Sequence, residues 1–139
     1  MPESVSSGLR RRVIEGAGNR CEYCRLSQMG QEATFHIDHI KPLIREGTTD
    51  LENLALACVS CSLRKGARER VLDPTTGTLT RLFNPRSDNW QEHFAWTEDV
   101  FLTGLTEIGR ATVAALDLNR PLIVAIRREE MTSGRHPPA

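Results

Sequence analysis

The chain has 139 residues, with 18 Lys and Arg balanced by 18 Asp and Glu and with few aromatics, so its core must lean on Leu, Ile, Val and Ala. That length suits one compact domain and excludes two of ordinary size, while a formal charge of zero gives no support to a uniformly basic, nucleic-acid-coating protein. The longest apolar runs, LALACV and LIVAI, fall far below the roughly 18 residues of a membrane helix, and no basic and apolar leader opens the chain, so a soluble α+β domain in the cytoplasm is expected.

Met1–Ser6 is small and polar and is expected to be loose. Ser7 can cap a first helix carrying Leu9, Val13 and Ile14 at helical spacing, and Gly16 and Gly18 end it before Asn19. Cys21 and Cys24 follow, then a polar loop. Thr34 to Ile40 alternates as a strand, with His36, Asp38 and Ile40 on one side and Phe35, Ile37 and His39 on the other. After Pro42 the REGTTD stretch is turn chemistry, and Asn53 opens a second strand, NLALAC.

From Ser60, a possible cap, SCSLRKGARER reads as a helix with Leu63 holding it to the sheet. VLDPTTGTLTRLF reads as a hairpin turning over Asp73–Gly77. NWQEHFAW then supplies Trp90, Phe94 and Trp96 for packing, with His93 as a satisfied packing histidine. A strand near VFLTGLT comes next, followed by a helix capped by Thr106 and a last helix opened by Pro121. The tail SGRHPPA, with His136, is expected to be loose. No internal repeat or low-complexity segment appears, so 1–139 is read as a single domain with residues 71–131 packed as an extension on the core.

The cysteines carry the clearest chemistry. Cys21, Cys24, Cys58 and Cys61 form two Cys-x-x-Cys pairs, and a two-residue spacer lets both sulfurs of a pair turn inward onto one tetrahedral zinc. In a reducing compartment that is a better account than disulfides. Four thiolates leave no open coordination position, so such a zinc is structural and any catalysis lies elsewhere. Between the pairs sits the Asp38-His39 dipeptide, where a carboxylate could hold a hard cation while an imidazole takes a proton from water. Basic residues flank both pairs: Arg10, Arg11, Arg12 and Arg20 before the first, and Arg64, Lys65, Arg68 and Arg70 after the second.

The order Cys-x-x-Cys, Asp-His-Ile-x-Pro, Asn-Leu, Cys-x-x-Cys, Lys-Gly over Cys21 to Gly66 resembles the HNH endonuclease family, whose core is a ββα-metal finger. The C-terminal part resembles the extension of a bacterial subgroup. The resemblance implies a ββα core over 21–66 with a structural zinc, a C-terminal hairpin and helices. It also implies a divalent-metal-dependent nuclease with DNA as partner, RNA being an open alternative, and with no membrane.

By position, His39 would be the general base, Asn53 would hold the connecting loop and help orient that base, and Asp38 would bind the catalytic Mg²⁺ or another divalent ion. His36 could reach the same ion, and Arg64 and Lys65 could contact phosphates. The residue after the last Cys is usually Asn or His in the family and is Ser62 here, a hydroxyl of shorter reach. The alternative is a degenerate HNH fold that binds nucleic acid or a protein partner without cutting. Oligomeric state is left open by the sequence.

Overall fold

The computed structural model describes residues 5–138. It is α+β, with three two-stranded antiparallel sheets and five helices, α1 (Ser7–Gly16), α2 (Val59–Lys65), α3 (Trp90–His93), α4 (Glu107–Ala115) and α5 (Pro121–Thr132), among those residues. No helix among them is long and apolar enough to cross a membrane. The chain divides into two compact units, one formed by residues up to 69 together with 84–88, the other by 70–83 and 89 onward.

In the first unit α1 is capped by Ser6, whose side chain accepts from the Leu9 amide at 3.2 Å. The expected cap was Ser7; two adjacent serines offer the same oxygen, and the helix begins one residue earlier than the pattern could decide. The loose segment expected over Met1–Ser6 falls mostly outside the described residues. After α1 the chain reverses through Gly18 and Asn19, both at positive φ.

β1 (His36–His39) pairs antiparallel with β2 (Leu54–Ala57) in the register His36↔Ala57 to His39↔Leu54. β1 is shorter than the Thr34–Ile40 expected, and Asn53 lies just before β2, in a 3-10 turn over Leu51–Asn53. All four residues of β2 are buried, which makes this short strand the floor of the unit. Each of its leucines contributes about 1.5–3 kcal/mol of apolar burial.

α2 follows at once, and its N-cap is Cys58, not Ser60: the Cys58 sulfur accepts from the Cys61 amide at 3.4 Å. Leu63, expected to hold this helix to the sheet, is 71% exposed. The inward face is set by Cys61 and by Lys65 one turn later, and both are buried. Residues spaced i, i+4 share a helix face, and Leu63 falls off it.

In the second unit β3 (Arg70–Leu72) and β4 (Leu79–Arg81) form the expected hairpin. Its turn is held by Asp73, which is fully buried, accepts from the Thr75 amide and the Thr76 hydroxyl, and takes the Arg110 guanidinium of α4 through both oxygens. α3 leads into β5 (Phe94–Trp96), which pairs with β6 (Leu102–Gly104).

α4 starts at the expected Thr106 cap, and α5 has Pro121 in its first turn. α4 lies so close to its neighbours that a Cβ on Gly109 would sit 2.1 Å from the His93 carbonyl oxygen. Arg127 of α5 is buried and donates to the Val100, Leu118 and Asn119 oxygens while stacking over Trp96. The tail is not loose through its whole length: His136 is buried and meets the Trp96 ring edge-on at 4.5 Å.

Candidate functional site

The first unit brings Cys21 and Cys24 from the turn after α1 together with Cys58 and Cys61 from the start of α2. All four are buried, their sulfurs lie within 4.8 Å of one another, and Cys24 and Cys58 are 3.7 Å apart. Two sulfurs on one tetrahedral zinc, each about 2.3 Å from it, would be about 3.8 Å apart. The cysteines are therefore placed to bind a metal ion, and the set is compatible with structural zinc.

The turn is closed by the Cys21 amide donating to the Leu26 carbonyl and the Arg25 amide to the Cys21 carbonyl, and Arg25 takes a positive φ just after Cys24. Burial pushes the Cys21 thiol up, while the hydrogen bonds converging from Cys21, Cys24 and Cys61 hold Cys58 well below the usual thiol range. A buried cluster with this split favours a cation that can take the remaining protons' place.

The two residues inside the first knuckle were not singled out by the sequence. Glu22 is buried; its amide donates to the Leu56 carbonyl, its carboxylate accepts from the Leu56 amide at 2.9 Å, and it pairs with Arg86. Glu22 thus adds a rung beside β2. Tyr23 is fully buried with its hydroxyl turned toward Asp38, and burial, then the Asp38 charge, pushes the phenol well above its ordinary range.

Beside the cysteine cluster lies an open cleft of about 870 Å³ whose lining includes Arg10, His36, Asp38, His39, Ile44 and Ser62. His36 Nδ1 is 2.9 Å from Ser62 Oγ, so β1 and α2 meet across the cleft through these two residues. Asp38 is two residues along β1, on the same strand face as His36. Burial pushes its carboxyl above the usual carboxylate value, and Lys65 and His39 pull the other way.

Lys65 was expected at the surface beside Arg64. It is instead 2% exposed, with Nζ 3.1 Å from Asp38 Oδ2 and 3.0 Å from the His39 carbonyl oxygen. A lysine at the end of a basic helix normally reads as solvated, and only the i, i+4 spacing from Cys61 hinted otherwise. Arg64 is exposed, and its Nε bonds Ser60 Oγ at 3.2 Å.

His39 Nε2 lies 3.0 Å from the Thr49 hydroxyl, which fixes the ring. Thr49 belongs to the loop that joins β1 to β2, and Asn53 holds that loop shut. Its side-chain oxygen accepts from the Lys41 amide at 2.8 Å, and its nitrogen donates to the Lys41 and Thr48 carbonyls. The loop folds so tightly that a Cβ on Gly47 would lie 1.8 Å from the Lys41 oxygen. On the other side Arg10 of α1 donates to the Phe35 carbonyl at 3.0 Å and ties down the entry to β1.

His93 does not join this group. Its Nδ1 bonds the Thr106 hydroxyl that caps α4, and its ring packs on Phe83, a structural role. Trp90 packs against both Phe94 and Trp96, as packing aromatics do.

Compared with known proteins, residues 21–68 match the family model described as HNH endonuclease. No curated protein and no solved structure matches the chain.

Proposed function

With an HNH endonuclease segment at residues 21–68 as premise, we propose that this protein is a divalent-metal-dependent endonuclease that hydrolyses DNA phosphodiester bonds with His39 as general base. The observation that carries this reading is the convergence of His36, Asp38, His39 and Ser62 on one cleft. Thr49 anchors His39 through Nε2. With that nitrogen donating to the hydroxyl, Nδ1 keeps its lone pair and takes the proton of the attacking water.

Asp38, His36 and Ser62 offer a carboxylate, an imidazole and a hydroxyl, a donor set that suits Mg²⁺, Mn²⁺ or a similar ion. Such an ion would polarise the phosphate and stabilise the leaving oxygen. Asn53 acts through the loop by keeping Thr49 and hence the His39 ring in place. Arg64, exposed at the rim, positions the phosphate backbone without reading sequence. Zinc held by the four cysteines would contribute only rigidity.

Plasmid nicking with Mg²⁺ or Mn²⁺ tests the proposal. Wild type is expected to nick, and His39→Ala, with its zinc retained, is expected to lose about 10²-fold or more. Equal activity of the two proteins, or none in wild type across several divalent ions and substrates, would overturn it. The second reading, a fold that binds nucleic acid without cutting, is favoured by one observation: Asp38 already has Lys65 as a counter-charge. It predicts metal-independent binding that weakens steeply with salt.

A further inference from the structure

Lys65 is the most deeply buried cation beside the cleft, and burying an unpaired ammonium costs several kcal/mol. Its Nζ is met by the Asp38 carboxylate and the His39 carbonyl, two adjacent residues at the end of β1. Nζ stands 3.1 Å from Asp38 Oδ2, so the carboxylate has its counter-charge in place. The buried Tyr23 hydroxyl faces the same carboxylate.

We propose that Lys65 is a resident cation of this site: it positions Asp38 and His39 by tying the end of β1 to α2, and it competes with a divalent ion for the Asp38 carboxylate. The inference rests on the reading of Asp38 as an ion ligand. An incoming ion meets a carboxylate already facing a positive charge at 3.1 Å, so its affinity is set against Lys65. The tie to the His39 carbonyl keeps the strand end in register when the carboxylate turns to the ion. A phosphate contact by Lys65 is a poorer account, since Nζ would have to leave both partners to reach solvent.

The test is Mn²⁺ binding to the zinc-loaded full chain, read by water-proton relaxation with no nucleic acid present. Lys65→Gln keeps an amide donor near His39 and Asp38 but removes the charge. It is expected to tighten Mn²⁺ binding by roughly tenfold, and adding Asp38→Asn is expected to abolish the gain. An affinity within about twofold of wild type, or a gain that survives Asp38→Asn, would overturn the proposal.

Should Lys65→Gln fail to fold, the wild-type protein answers directly. The Lys65 side-chain ¹⁵N resonance is expected to shift on Mg²⁺ titration, and a resonance unmoved at saturation would overturn the proposal. A gain in Mn²⁺ affinity in a protein that never nicks DNA sinks the nuclease reading alone. Nicking by wild type with no effect of Lys65→Gln on Mn²⁺ sinks this inference alone.

Discussion

Asp73 makes the clearest case for what one buried side chain can do. The Arg110 guanidinium, helped by the Thr75 amide and the Thr76 hydroxyl, holds its carboxyl down at about 2. A carboxyl depressed in the folded state adds stability that is fully present above its unfolded value of about 3.9 and is lost as pH falls through the folded value. The second unit is therefore expected to lose stability between about pH 4 and pH 2. Asp73→Asn should flatten that part of the curve, as read by thermal melts across this range; an unchanged slope would contradict the role. The turn over Asp73–Gly77 was legible from its residue types. The ion pair was not, because Arg110 is remote in sequence and nothing in DPTTG names its partner.

Among the elements, α2 depends most on something outside itself. It spans seven residues, well short of the roughly 12–15 that an isolated helix needs, and Cys58 both caps it and belongs to the cysteine cluster. Structural zinc in small peptides is worth about 10–16 kcal/mol in apparent binding free energy, as much as the whole stability of a typical domain, about 5–15 kcal/mol. Stripping the metal with a strong chelator is therefore expected to unfold α2 and the β1–β2 pair. The readouts are the loss of far-UV helical signal and of amide protection over residues 54–65, both restored by zinc. Protection that persists without metal would show that burial of β2 suffices. The doubled Cys-x-x-Cys spacing made the cluster readable. The inward face of α2 was not readable, since the cysteine cluster takes up Cys58 and Cys61 and overrides the apolar pattern that pointed to Leu63.

For the molecule as a whole, the first unit is discontinuous in sequence, because residues 84–88 belong to it. Arg86 from that stretch pairs with the buried Glu22 between the first two cysteines. We propose, as the sequence suggests, that residues 1–139 act as a single domain and that the core from Cys21 to Gly66 is not an excisable module. Ending the chain after Glu69 leaves Glu22 without its cation. The expected cost is somewhat below the about 3–5 kcal/mol of a fully buried broken pair, since Arg86 is partly exposed. Denaturant midpoints of the truncated chain and of full-length Arg86→Gln should fall together; a truncated chain as stable as the full one would refute the idea. Order along the chain gave α1, both strands of the core and the hairpin. It could not give this return, because an Asn-Pro-Arg-Ser-Asp loop looks like any other turn.

The return of residues 84–88 also bears on synthesis. A ribosome releases the chain from its N-terminus, so all four cysteines emerge, and can meet zinc, well before Arg86 does. For the time taken to translate the β3–β4 hairpin, Glu22 waits as a buried-to-be carboxylate without its arginine. A metal-clamped core would then be a provisional structure, completed only when residues 84–88 have left the exit tunnel.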